Sequence, residues 1–77
     1  MRYQLFDTIV LDRDLPAHSL RRGDVGAVVE IYEPDGIEVE FVLPNGRTQA
    51  LVSLNEGDIR PLAETDLLTV RTLNRSA

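Results

Sequence analysis

Apolar and polar positions alternate most clearly between Arg21 and Leu54, where the chain reads RRGDVGAVVEIYEPDGIEVEFVLPNGRTQALVSL. Two turn signals, Pro34-Asp35-Gly36 and Pro44-Asn45-Gly46, divide it into three β-branched runs of strand length. Such runs, separated by Pro, Asn, Asp and Gly, predict a three-stranded antiparallel meander. In the first run a period of two puts Val25, Ala27, Val29 and Ile31 on the core face. Asp24, Val28, Glu30 and Tyr32 take the other. In the second run Ile37, Val39, Phe41 and Leu43 point inward, and Glu38 and Glu40 outward. The Glu33-Pro34-Asp35-Gly36 signal predicts a type I turn with Gly36 at positive φ. That turn would oppose Ile31 to Val39, Val29 to Phe41 and Glu30 to Glu40. Asn45-Gly46 predicts a two-residue hairpin, again with positive φ at the glycine. It opposes Phe41 to Ala50 and Val39 to Val52, and puts Thr48, Ala50, Val52 and Leu54 inside. Leu51 is apolar too, so a register slipped by one residue is a second solution.

The flanking segments complete a sheet. Tyr3 to Asp12 predicts a first strand apolar on both sides, with Leu5, Ile9 and Leu11 on one face and Phe6, Thr8 and Val10 on the other. Asp14-Leu15-Pro16 ends it, because proline opposes ladder pairing and biases Leu15 to extended geometry. Ala17 to Arg22 is a loop with Leu20 as its anchor in the core. Gly26, inside an otherwise strong strand, signals a bulge or a close backbone approach. Asn55-Glu56-Gly57-Asp58 predicts a 3₁₀ turn before a short strand, Ile59 to Leu62. The expected fold is all-β: a small SH3-like barrel of five short antiparallel strands with a 3₁₀ turn before the last. The expected core holds Val25, Val29, Ile31, Val39, Phe41, Ala50, Val52, Leu54 and Ile59. Residues 1–62 would form the barrel and 63–77 a C-terminal extension. That extension carries Leu67, Leu68, Val70 and Leu73 without turn signals. Thr69, Val70 and Thr72 favour an edge strand, Thr65-Asp66 could instead cap a short docking helix, and disorder is the third reading.

Length and composition narrow the function. Seventy-seven residues allow one domain with a small core. No cysteine is present, so disulfides and thiolate metal sites are excluded, and a reducing cytoplasm is the expected compartment. No stretch approaches the roughly 20 apolar residues of a membrane span, and the N-terminus lacks the pattern of a signal peptide. The formal net charge is -5, and every basic residue is arginine. An acidic balance argues against nucleic acid as the partner, since that grip needs a basic stripe.

Few residues carry a chemical signature. Arg22-Gly23-Asp24 spells an integrin-binding tripeptide, but it reads as a plain turn before a strand. Gly23-Asp24-Val25-Gly26 lacks the third glycine and the helix of a dinucleotide fingerprint. His18, the only histidine, has no second ligand at metal spacing. It is also the only base available to Ser19, Ser53 or Ser76, so neither a catalytic residue nor a metal or cofactor site is expected. Arg21, Arg22, Arg47 and Arg60 are the one basic concentration, able to grip an anion or to pair internally with Asp14, Asp24 or Asp58. From Asp24 to Glu40 there are six acids and no basic residue. Like charges opposed across a sheet are unfavourable, so Glu30, Tyr32, Glu38 and Glu40 mark the expected site for a basic partner.

Four blocks also carry a resemblance: FDTIVLDRDLP, LRRGDVGAVVE, VEFVLPNGRTQALVSL and DIRPL, in that order. They resemble a family of short bacterial proteins catalogued as domain of unknown function four-nine-two-six, over about Tyr3 to Leu62. The resemblance implies an SH3-like barrel and assigns no reaction, cofactor or catalytic residue. Separately, Gly23 with Gly26-Ala27-Val28 is similar to the KOW motif of ribosomal and transcription proteins, whose basic context this chain lacks. The reading is a non-enzymatic, cytoplasmic protein-binding module of accessory, antitoxin or immunity type. Its expected partner is a basic protein, met through the acidic sheet face. The alternative is a KOW-like RNA- or ribosome-associated barrel.

Overall fold

The computed structural model describes residues 2–73. Five antiparallel strands form one curled sheet: β1 (Thr8–Leu11), β2 (Val25–Tyr32), β3 (Gly36–Val42), β4 (Thr48–Asn55) and β5 (Ile59–Pro61). Their order is β4-β3-β2-β1-β5, so the meander extends through β1 to the last strand. Two 3₁₀ turns interrupt it, one at Pro16–His18 and one at Glu56–Asp58 just before β5. This is the SH3-like arrangement expected from the pattern. The last turn is fixed by Asp58, whose carboxylate accepts from the Asn55 N–H at 3.0 Å and from Arg13 at 3.2 Å.

The core lies inside the curl. Ile9, Leu11, Val28, Ile37 and Val39 are fully buried, joined by Phe41, Val52, Leu54, Ile59, Leu15, Leu20 and Tyr3. Leu20 is thus the loop anchor. Phe41 opposes Ala50 and Val39 opposes Val52, which settles the β3–β4 register in favour of the unslipped solution.

The face assignment of β2 needs correcting. Val28 and Gly26 are buried, Val25 is exposed, and Ala27 and Val29 are only half-buried. The reason is a bulge: Val28 pairs Val39, but the next pair is Glu30 with Glu38. Val29 is the extra residue, and a single insertion inverts the phase of the strand before it. Past the bulge, Ile31 opposes Ile37 and not Val39, Val29 does not oppose Phe41, and Glu30 meets Glu38 and not Glu40. A close backbone approach does occur at Gly26. A β-carbon there would lie 2.7 Å from Val39 Cγ1 and 2.8 Å from Phe41 Cε1.

The turns differ from expectation in parallel ways. β3 already begins at Gly36, which pairs Tyr32, so the reversal falls within Glu33–Asp35 around a cis Glu33-Pro34 bond. Gly36 is therefore not at positive φ; Gly46 is, at 88°. Around Gly46 the loop is three residues long, not two. The Gly46 N–H donates to the Leu43 carbonyl at 2.9 Å and the Leu43 N–H to the Arg47 carbonyl at 2.8 Å. Asn45 Oδ1 accepts from the Arg47 N–H at 3.0 Å. A register shift follows, since Phe41 opposes Ala50 but Val42 opposes Thr48. Thr48 is turned outward by that shift and is exposed.

The first strand is shorter than its apolar run. Leu5 and Phe6 are exposed, because Gln4 to Asp7 forms a turn in which the Asp7 N–H donates to the Gln4 carbonyl at 3.1 Å. Phe6 has φ of 71°, in the left-handed region.

The segment after Leu62 is neither strand nor helix through Leu73. It is an irregular arm held by two Arg–Asp pairs. Arg60 grips Asp66 bidentately at 2.8 and 2.9 Å. Arg71 pairs bidentately with Asp24 and donates to the Ser19 carbonyl at 3.1 Å. Leu67, Leu68 and Val70 remain exposed, Val70 almost wholly at 97%. Aliphatic burial therefore does not hold the arm; charge-assisted hydrogen bonds do.

Candidate functional site

Glu30 on β2 and Glu38 and Glu40 on β3 stand on the outer side of the meander. Glu30 and Glu38 are direct cross-strand partners, so like charges are opposed as expected, with a different pair of residues. Glu40 lies in a row with Ala27 on one side and Leu51 on the other. Tyr32 stands beside Glu38, and its hydroxyl donates to Glu38 Oε2 at 3.3 Å. The Glu38 charge is the main cause that raises the Tyr32 phenol above its ordinary pKa, with desolvation, the hydrogen bond and Glu30 adding to it.

Neutral hydroxyls, not cations, serve these carboxylates. Ser53 donates to Glu38 Oε1 at 3.2 Å, and Thr48 donates to Glu40 Oε2 at 2.5 Å. Glu30 Oε1 accepts the neighbouring Ile31 N–H at 3.3 Å. Both hydroxyl residues were missed from the sequence. Alternation alone puts Thr48 inside, and the shift between Phe41 and Val42 that turns it outward leaves no mark in the sequence. Among the described residues, the ion pairs are Arg13 with Asp58, Arg22 with Asp12, Arg60 with Asp66 and Arg71 with Asp24. None reaches Glu30, Glu38 or Glu40. Arg75, a further candidate to neutralise this face, lies outside the described residues. Val42 and Leu51, both more than half exposed, add apolar surface next to Glu40.

The basic residues are partly brought together. Arg21, Arg22 and Arg60 line a groove of about 530 Å³ between the barrel and the arm, whereas Arg47 sits apart on the β3–β4 loop. Val10 and Leu20 form part of its floor, and Leu67 and Leu73 part of its arm side. The guanidinium groups of Arg22, Arg60 and Arg71 are committed to carboxylates. Burial acts to raise the Asp24 pKa, but the Arg71 hydrogen bonds and charge outweigh it and hold the carboxyl below its usual range. Asp66 is held lower, at about 2, chiefly by its Arg60 hydrogen bonds and then by the Ala63 N–H. Arg60 and Arg71 are raised in turn by the same contacts.

His18 is exposed on its 3₁₀ turn, and its carbonyl accepts from Gln49 Nε2 at 3.5 Å. Among the described residues no group of three His, Cys, Asp or Glu side chains is placed to hold a metal ion. No helix among them is long and apolar enough to cross a membrane.

A family model described as Domain of unknown function (DUF4926) matches residues 5–61, which spans all five strands and stops before the arm. Neither a curated protein nor a solved structure matches the chain.

Proposed function

The chain belongs to the DUF4926 family, and we propose that it is a non-enzymatic binding domain whose acidic β2–β3–β4 face docks a basic protein. One observation carries the reading. Glu30, Glu38 and Glu40 share one sheet face with Glu30 opposed to Glu38, and no arginine among the described residues pairs with them. Opposed like charges cost a sheet a few tenths of a kcal/mol per contact. An Arg- or Lys-bearing surface would relieve that cost, speed encounter and fix orientation. Tyr32, half exposed beside Glu38, supplies the aromatic anchor that such interfaces favour. An accessory subunit, an antitoxin or an immunity protein facing a basic, nucleic-acid-cleaving partner would use this kind of face.

Charge reversal tests it. A partner isolated by affinity purification from the native host is titrated against the wild-type domain and a Glu30→Lys/Glu40→Lys variant, at low and physiological salt. The variant is expected to fold normally, to bind at least about tenfold more weakly, and to lose the salt dependence of the wild type. Wild-type affinity at low salt would show that the face is merely solvated.

A further inference from the structure

The sheet has two edges, and they are built differently. β5 is three residues long and includes Arg60 and Pro61, a charge and a proline that discourage further pairing. β4 is eight residues long, TQALVSLN, with neither. Among the described residues it is hydrogen-bonded as a strand to β3 alone. In an antiparallel ladder, alternate residues turn their N–H and C=O toward the partner strand and away from it. The Asn55 N–H turns away from β3, since it donates to the Asp58 carboxylate. Pairing is regular from Ala50 to Asn55, so Leu51 and Ser53 aim their backbone groups at the same open side.

A second observation says what the edge would meet. The Glu38 and Glu40 carboxylates lean off β3 onto β4, where Ser53 and Thr48 hold them. That places negative charge within about one strand spacing, ~4.8 Å, of the open edge. Leu51, half exposed, stands between them.

We propose that the β4 edge accepts an extended basic segment of another protein as a sixth strand. The N–H and C=O groups of Leu51 and Ser53 form the ladder, and alternate Arg or Lys side chains of the segment reach Glu38 and Glu40. This rests on the acidic-face reading and specifies how the partner is held. Charge selects the occupant. A second copy would bring its own acidic face alongside, and an uncharged strand would leave both carboxylates served by hydroxyls alone. Strand addition takes its affinity from the main chain and its specificity from alternate side chains, which here must be cationic.

The probe is an end-capped peptide alternating arginine with valine, long enough to span β4, with a control in which its central valine is proline. Amide hydrogen exchange and chemical shifts are followed on the full chain. Binding of the first peptide should slow exchange at Leu51 and Ser53 by about tenfold or more, and the control should not. Ser53→Pro removes an outward N–H and the hydroxyl that holds Glu38 but no ladder bond to β3, so it should fold yet bind about tenfold more weakly. Ser53→Ala, which keeps the N–H, should bind nearly as well as wild type. If Ser53→Pro fails to fold, exchange at Leu51 and Ser53 in the wild type still decides the matter. Binding without that protection overturns the edge as the site. Should Glu30→Lys/Glu40→Lys weaken such binding, the acidic face itself would stand. Protection that survives charge reversal overturns the basic selection, and the proposed face with it. No binding of either peptide overturns the proposal, as does self-association without peptide that Ser53→Pro abolishes.

Discussion

At Gly26 a β-carbon has no room. The nearest neighbours are the Val39 and Phe41 side chains, both packed in the core, and the Glu40 backbone carbonyl, the last at 3.0 Å. Gly26→Ala should therefore destabilise the domain by about 1–3 kcal/mol through overpacking. A thermal melt checks this, and an unchanged Tm would mean that the core yields more readily than its packing implies. Tyr3 poses the opposite problem. Its ring is buried, with the Arg2 guanidinium 5.2 Å from the ring centre, but its hydroxyl finds no partner among the described residues. A buried hydroxyl without a hydrogen bond costs stability, so Tyr3→Phe should leave stability unchanged or raise it by about 1 kcal/mol. Denaturant midpoints would show it; a clear loss would reveal a partner for the hydroxyl. The tight approach at Gly26 was legible, because a glycine interrupts a run of β-branched residues. The lone hydroxyl of Tyr3 was not, since burial there depends on how the N-terminal turn folds back.

At the scale of elements, the hairpins were legible and the bulges were not. Turn residues act locally, so Asn45-Gly46 and Pro34-Asp35 announce reversals whatever lies around them. A bulge leaves no such mark. Val25, Val28, Val29 and Ile31 are apolar on both candidate faces, so either phase satisfies the pattern, and only pairing with β3 selects one. The arm was misread for a related reason. Its aliphatic residues suggested burial, but Arg71 meets Asp24 across 47 positions of sequence, a contact no local rule contains. Because both anchoring carboxyls titrate below their ordinary range, the ionised forms favour the docked arm. The sign follows: docking is complete above about pH 4, the ordinary carboxylate range, and fades as pH falls toward the Asp66 value of about 2. Nitrogen-15 relaxation across Leu67 to Leu73 should show the arm loosening over that window. Arg71→Ala should loosen it at neutral pH without unfolding the sheet. An arm equally rigid in both experiments would mean that its apolar residues hold it after all.

Across the whole molecule, charge is sorted. Among the described residues, Arg13, Arg22, Arg60 and Arg71 each pair with an aspartate of the loops or arm, while none pairs with the acids on the outer face of the meander. The surplus behind the net charge of -5 was plain in the sequence, as was its concentration between Asp24 and Glu40. What the sequence did not contain was which acids face each other, because the Val29 bulge decides that. Exposed charge of this kind is felt over about 8 Å at physiological salt, so its influence on a partner is short-ranged and surface-specific.

The pairing of Ile9 with Pro61 and of Leu11 with Ile59 also sets how the domain meets tension. The chain enters β1 and leaves β5 at the same end of an antiparallel pair. Traction between the two ends would first strip the arm, Arg71 before Asp66. It would then peel β5 from β1 one ladder bond at a time, rather than shear all of them at once. A domain wired this way gives way gently under pull, and would serve poorly as a link in anything that bears load.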